Sequence, residues 1–239
     1  MARYDFFATK KVTSVGKLIG FQANRILASM LMSHFKTTDR QINILEIVPG
    51  QGDFAIELIK RSNVTYLSYE ADEELYKILR EKNIQAKYGR IPPLNENDNS
   101  FDAVVMLNVL EHMQNVTEAE AIIREIRRVL KTGGILFTVT PSFMSWGKDF
   151  YNFDYTHTFI TTELRLNQLF SDNGFFIIKI GYHYGNFFSE FGRIAAALTR
   201  AARKIADVFT PRNFGRKQTI QKMAMLFAEN IITISRKSC

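Results

Sequence analysis

Cysteine is nearly absent from this chain: of 239 residues only Cys239 carries a thiol. An intramolecular disulfide and a cysteine-built metal site are thereby excluded, and a reducing, cytoplasmic setting is expected. Histidine is scarce too, at four residues. No two are spaced His-x-x-x-His and no calcium-loop pattern occurs, so no metal site is expected from spacing. No apolar run has the length needed to cross a bilayer, and the opening Met1-Ala2-Arg3-Tyr4-Asp5 leads into polar residues instead of a signal-peptide core. Internal repeats and low-complexity tracts are also missing. The 46% hydrophobic content is enough for one large α/β domain with appendages.

Residues Ile42 to Gly52 read as an apolar strand running into a turn punctuated by Gly50 and Gly52, with a helical segment from Asp53. Glycine there permits backbone angles and close approaches that a side chain forbids, as a nucleotide-cofactor turn requires. Glu70 closes the next apolar stretch, eighteen residues past Gly52, where a carboxylate can accept hydrogen bonds from ribose hydroxyls. A phosphate-binding loop would continue with Lys and then Ser or Thr, but Asp53-Phe54 follow and disfavour a triphosphate. The glycines do not complete G-x-G-x-x-G, which makes a dinucleotide a weaker fit. S-adenosylmethionine has no phosphate and carries a sulfonium cation, which suits the acids Glu46 and Glu70 on charge. Together these place a nucleoside where the first two parallel strands splay apart.

From here the chain resembles the class I S-adenosylmethionine-dependent methyltransferases over roughly residues 41–183. Ser100 to His112 looks like that family's fourth strand and following loop, and Glu125 to Leu136 like its next helix, glycine turn and fifth strand. Asp154-Tyr155-Thr156-His157, followed by Thr161 to Phe175, resembles the subgroup that modifies small molecules, quinone-like lipids or surface glycans. The resemblance implies methyl transfer from S-adenosylmethionine to such an acceptor by direct displacement. It implies cofactor contacts at Glu46, Gly50, Gly52, Glu70 and Asn108, and two candidate proton acceptors, His112 and His157. A carboxylate near His157 is expected to hold its tautomer. The sequence departs from the pattern at Val48, which stands where the family has its first glycine, and at Arg90, which stands where an acid contacts adenine.

Alternating patterns predict a Rossmann-like, doubly wound α/β fold: a mainly parallel seven-stranded sheet with helices on both faces. Strands are predicted near 42–47, 64–70, 84–88, 101–107, 134–140, 175–182 and 226–235. Helices are predicted over 53–62, 72–82, 117–130 and 161–173, the last ended by Gly174. Residues 1–40 read as a helical cap, 41–183 as the cofactor-binding core, 184–225 as a basic amphipathic helical insertion, and 226–239 as a final strand rejoining the sheet. Aromatic residues from Phe143 to Tyr155 predict a loop walling an acceptor pocket.

The net charge of +7 is uneven, with seven Lys or Arg against two acids in residues 1–40 and eight against two in residues 187–222. Basic segments flanking an acidic core point to an anionic partner: a membrane surface met peripherally, a phosphorylated substrate, or nucleic acid. A homodimer packed through the insertion is the alternative use of its apolar stripe. Two competing functions follow from the residues. Pro49-Gly50-Gln51-Gly52 resembles the opening motif of rRNA adenine dimethylases, although Asn108-Val109-Leu110-Glu111 replaces the Asn-Leu-Pro-Tyr type sequence that grips a flipped base. Val48 and Arg90 motivate a non-catalytic protein that retains the fold.

Overall fold

Successive residues of a strand point to opposite faces, so a strand that is apolar throughout must be covered on both sides. In a computed structural model, which describes residues 14–35, 40–185, 187–188, 192–199, 201 and 227–238, the first strand behaves in this way. From β1 (Ile42–Ile47), Ile42 and Ile44 enter one core while Leu45 and Ile47 enter another. From β4 (Phe101–Leu107), Ala103 and Val105 join the first core, Val104 and Met106 the second.

The remaining strands are β2 (Val64–Glu70), β3 (Ala86–Tyr88), β5 (Leu130–Pro141), β6 (Phe175–Tyr184) and β7 (Glu229–Lys237). Among the described residues these form one seven-stranded sheet in the order β3-β2-β1-β4-β5-β7-β6. Pairing is parallel from β3 to β5, while β7 runs antiparallel to both β5 and β6. The helices are α1 (Ser14–Met32), α2 (Asp53–Ile59), α3 (Glu73–Glu81), α4 (Val116–Val129), α5 (Phe143–Trp146), α6 (Asp149–Phe153) and α7 (Glu163–Asp172). Side chains of α1, α2 and α3 cover one face; those of α4 and α7 cover the other.

Side chains start the main helices where the sequence places them. Asp72 accepts the amides of Glu74 and Leu75 to cap α3, Asn115 accepts that of Glu118 to cap α4, and Thr162 accepts that of Arg165 to cap α7. Gly174 ends α7 with φ +76°, and a Cβ there would lie 2.4 Å from Arg127 Nε.

Several ends shift by one to three residues from expectation, β7 starting at Glu229 and α2 ending at Ile59 among them, and three larger differences have a physical reason. Ile84 precedes β3 because its amide bonds to the Leu79 carbonyl at 2.9 Å, making it a plug under α3. The fifth strand starts at Leu130, which pairs with Phe101, and the register shifts before Ala103 pairs with Ile135; the glycine pair is thus an irregularity inside the strand, with Gly133 at φ +72°. The aromatic segment after β5 folds into the short helices α5 and α6. Of the cap, residues 1–13 and 36–39 lie outside the described residues, as do residues 202–226 of the insertion and final strand; residues 192–199 are helical.

At the amino end of the sheet, Asp102 is buried and joins three segments. It accepts the Asn43 amide at 2.9 Å and pairs with Lys131 at 2.9 Å and Arg40 at 2.7 Å. Burial pushes its carboxyl up, but the Asn43 amide and the two cations outweigh that and hold it below the usual range.

Candidate active site

The turn leaving β1 contains three residues with positive φ: Val48 at +53°, Gly50 at +58° and Gly52 at +77°. It bends the chain into α2 and leaves a cavity of about 300 Å³ above the carboxyl ends of the strands. Glu46, Val48 and Gly50 line it from the β1 side, Leu107 and Asn108 from the β4 side, and Asn24 from α1. The cavity therefore opens between β1 and β4 and not between the first two strands as the sequence suggested. The reason is topological: β2 and β3 lie to one side of β1 and β4 to the other, so the strand order reverses at β1/β4, where connections diverge.

The two glycines have different work. A Cβ on Gly50 would meet no atom within 4 Å, so its open face belongs to the cavity. A Cβ on Gly52 would lie 2.4 Å from Ile84 Cδ1 and 2.8 Å from Leu79 Cδ2, so Gly52 serves the packing of the turn over α3. Glu46 is buried and accepts the Tyr66 hydroxyl at 2.6 Å. Burial pushes its carboxyl up to about 8, against the pull of the Tyr66 bond, with Glu70 adding to the rise.

Glu70 is also buried. Its Oε1 accepts the amides of Ala71 at 2.9 Å and Asp72 at 3.0 Å, and its Oε2 has no partner among the described residues. Burial raises this carboxyl as well, opposed by the amides of Asp72, Ala71 and Gly50. Asn108 follows β4 in the left-handed region, φ +55°, which asparagine tolerates, and its amide is held by the Val139 carbonyl at 2.8 Å.

Past Asn108 a 3-10 turn, Leu110–His112, presents Glu111 and His112. The chain returns 45 residues later with His157, and the two imidazole centroids stand 4.9 Å apart, edge to face. The Thr156 hydroxyl donates to Asp154 at 2.6 Å, so toward His112 Nδ1, 2.8 Å away, it can only accept. His112 thus carries its proton on Nδ1. His157 Nδ1 lies 2.7 Å from the Phe150 carbonyl, which fixes the same tautomer. The carboxylate expected to orient His157 in fact orients His112 through Thr156, because a main-chain carbonyl already occupies His157. Burial and the neighbouring His157 lower His112 to about 4, and burial lowers His157. Both rings are neutral near pH 7.

Sequence reasoning found the acids and both histidines of the site but missed Asn24, Tyr66 and Thr156. Asn24 is a polar position in the apolar stripe of α1, Tyr66 has the period of Glu46 on the adjacent strand, and Thr156 stands beside His157. Only Thr156 lies within the segment Asp154 to His157 that carries the family resemblance. The aromatic residues divide: Phe150 is buried against His157, ring centroids 4.9 Å apart, whereas Tyr155 is exposed.

A sheet of this order, with a glycine turn at its switch point and acids at the carboxyl ends of β1 and β2, defines a cofactor-binding α/β protein of the methyltransferase class. The family model described as a methyltransferase domain matches residues 21–180, and the chain belongs to that family of S-adenosylmethionine-dependent methyltransferases. The fold is shared with solved structures. A candidate sarcosine dimethylglycine methyltransferase from Galdieria sulphuraria has 18% identity and a TM-score of 0.64, over 90% of this chain and 84% of that one. Magnesium protoporphyrin IX methyltransferase from Synechocystis, with bound S-adenosylhomocysteine, has 15% identity and a TM-score of 0.60, over 96% and 90%. The cyclase SpnF has 21% identity and a TM-score of 0.62, over 90% and 80%. Among curated proteins, no sequence matches the chain.

The cofactor is S-adenosylmethionine, and the site fits it. An acid in the cavity wall suits a cation and the bare face of Gly50 admits a ligand closely, while Glu70 is buried outside the residues that line the cavity, with an Oε2 left for a hydroxyl donor.

Proposed function

We propose that this methyltransferase acts on a small-molecule, lipid-like or glycan acceptor, held by the loop after β4 and the segment from α5 to His157. The observation that supports the reading most is the meeting of His112 and His157, ring centroids 4.9 Å apart, four residues beyond the cavity-lining Asn108. S-adenosylmethionine supplies, when bound, a methyl group activated by its sulfonium. In this reading Glu46, Gly50 and Asn108 hold the cofactor, with Glu70 Oε2 accepting from the ribose and Gly52 shaping the turn. His112 and His157 orient the acceptor and take its proton through the ring nitrogen opposite the fixed Nδ1–H. The half-buried Trp146 ring, 6.2 Å from that of His157, favours an acceptor with apolar or sugar surface over a phosphate-rich strand.

Labelled cofactor incubated with the purified protein and fractionated cell extracts tests this. A labelled small molecule, lipid or glycan, lost in His157→Gln, is the expected product; labelled RNA instead would install the nucleic-acid alternative. The surroundings belong to the same proposal. Within residues 192–199 Ile194 and Leu198, one helical turn apart, are both exposed, an apolar ridge in a basic segment suited to peripheral contact with an anionic membrane or to a homodimer. Sedimentation with anionic and neutral vesicles, beside analytical ultracentrifugation, separates the two.

A further inference from the structure

Methyl transfer from a sulfonium needs no metal, yet the turn after β4 collects a donor set that suits one. Glu111, His112 and His157 each offer a ligand atom, all within 4.8 Å of one another. Two more features of the cluster point the same way. Glu111 is 1% exposed, and its Oε2 has no hydrogen-bond partner among the described residues, an arrangement that calls for a ligand. Both imidazoles are held through Nδ1, by the Phe150 carbonyl and by Thr156 backed by Asp154, the support that metal-ligating histidines usually have and which leaves Nε2 with the coordinating lone pair. We propose that Glu111, His112 and His157 together bind one divalent transition-metal ion.

Donors at about 2.0–2.2 Å from a common ion sit roughly 3–3.5 Å apart, so donors within 4.8 Å of one another close by no more than about 1.8 Å on binding. Two imidazoles and one carboxylate select zinc, manganese or ferrous iron over magnesium and calcium, which take all-oxygen shells. Three protein donors leave a coordination position for water or for an acceptor oxygen, and with the ion bound the imidazoles serve as ligands while the ion, in place of the ring nitrogens, lowers the pKa of that oxygen's proton. That last consequence rests on the function proposed above; the binding itself does not.

The test therefore uses the full chain without cofactor. Protein stripped with a chelator is titrated with Co²⁺, followed by visible ligand-field absorption, and with Zn²⁺, followed by calorimetry. One equivalent should bind, with affinity reduced at least tenfold in Glu111→Gln and in His157→Gln and unchanged in His34→Gln. Circular dichroism checks that the variants are folded. For wild type, Zn²⁺ should move the ¹⁵N resonances of two of the four histidines, assigned as His112 and His157. Absence of ligand-field bands, binding undiminished in folded variants, or shifts at His34 and His183 would overturn the proposal. Each of these results leaves the methyltransferase reading standing.

Discussion

At the scale of single residues, two positions around the cavity hold conformations or charges their surroundings disfavour. Val48 is β-branched yet sits at φ +53°, a left-handed conformation costing about 1–2 kcal/mol for such a side chain. Val48→Gly should leave unfolding stability within about 1 kcal/mol of wild type, because relief of the strain is offset by the flexibility of the unfolded glycine and by loss of a side chain packed on the core, and urea denaturation reads this directly. Glu46 holds its proton up to about pH 8 in the fold, against 4.5 for an ordinary glutamate. A raised carboxyl stabilises fully below the unfolded value, and that contribution is lost as pH rises through the folded one. Wild type should therefore lose stability relative to Glu46→Gln between pH 4.5 and pH 8, by on the order of 3 kcal/mol, measured as paired denaturation curves at pH 5 and pH 8. The same proton should be released when a cation enters the cavity, so cofactor binding should release protons near pH 7.

At the scale of elements, the switch point depends on β1 and β4 being locked in register, and Asp102 does much of that locking from the opposite end. Its carboxylate ties the start of β1 through the Asn43 amide to Lys131 at the start of β5. Asp102→Asn keeps the shape but removes the charge both cations need. Because Arg40 and Lys131 are partly exposed, the loss should be about 2 kcal/mol by urea denaturation and not the larger cost of stranding a fully buried ion. The central strands β1 and β4 were legible because their residues are apolar on both faces, and the helix starts fell within two residues of the caps Asp72, Asn115 and Thr162. The start of β5 was not: Leu130 closes an apolar helical period and also pairs with Phe101, and periodicity cannot say which use wins. Helices α5 and α6 escaped notice because they are too short to show a repeat.

At the scale of the molecule, the cofactor end was readable because its residues fall in one local run from Glu46 to Gly52, with Glu70 at the end of the next strand. The histidine cluster was only half readable. His112 and His157 carry familiar neighbours, but their meeting depends on the chain's return after β5, which no local spacing encodes. The expectation that spacing rules out a metal has the same blind spot. The sheet order also relocates the cavity to β1/β4, a property of connections and not of any segment. The central claim is that this cavity, bounded by the bare face of Gly50, holds S-adenosylmethionine. Calorimetric titration with S-adenosylhomocysteine tests it most directly, in wild type and in Gly50→Arg, whose side chain would enter the cavity without meeting a protein atom within 4 Å at its Cβ. The account predicts one site in wild type and none in the folded variant; no binding to wild type, or equal binding to both, would contradict it.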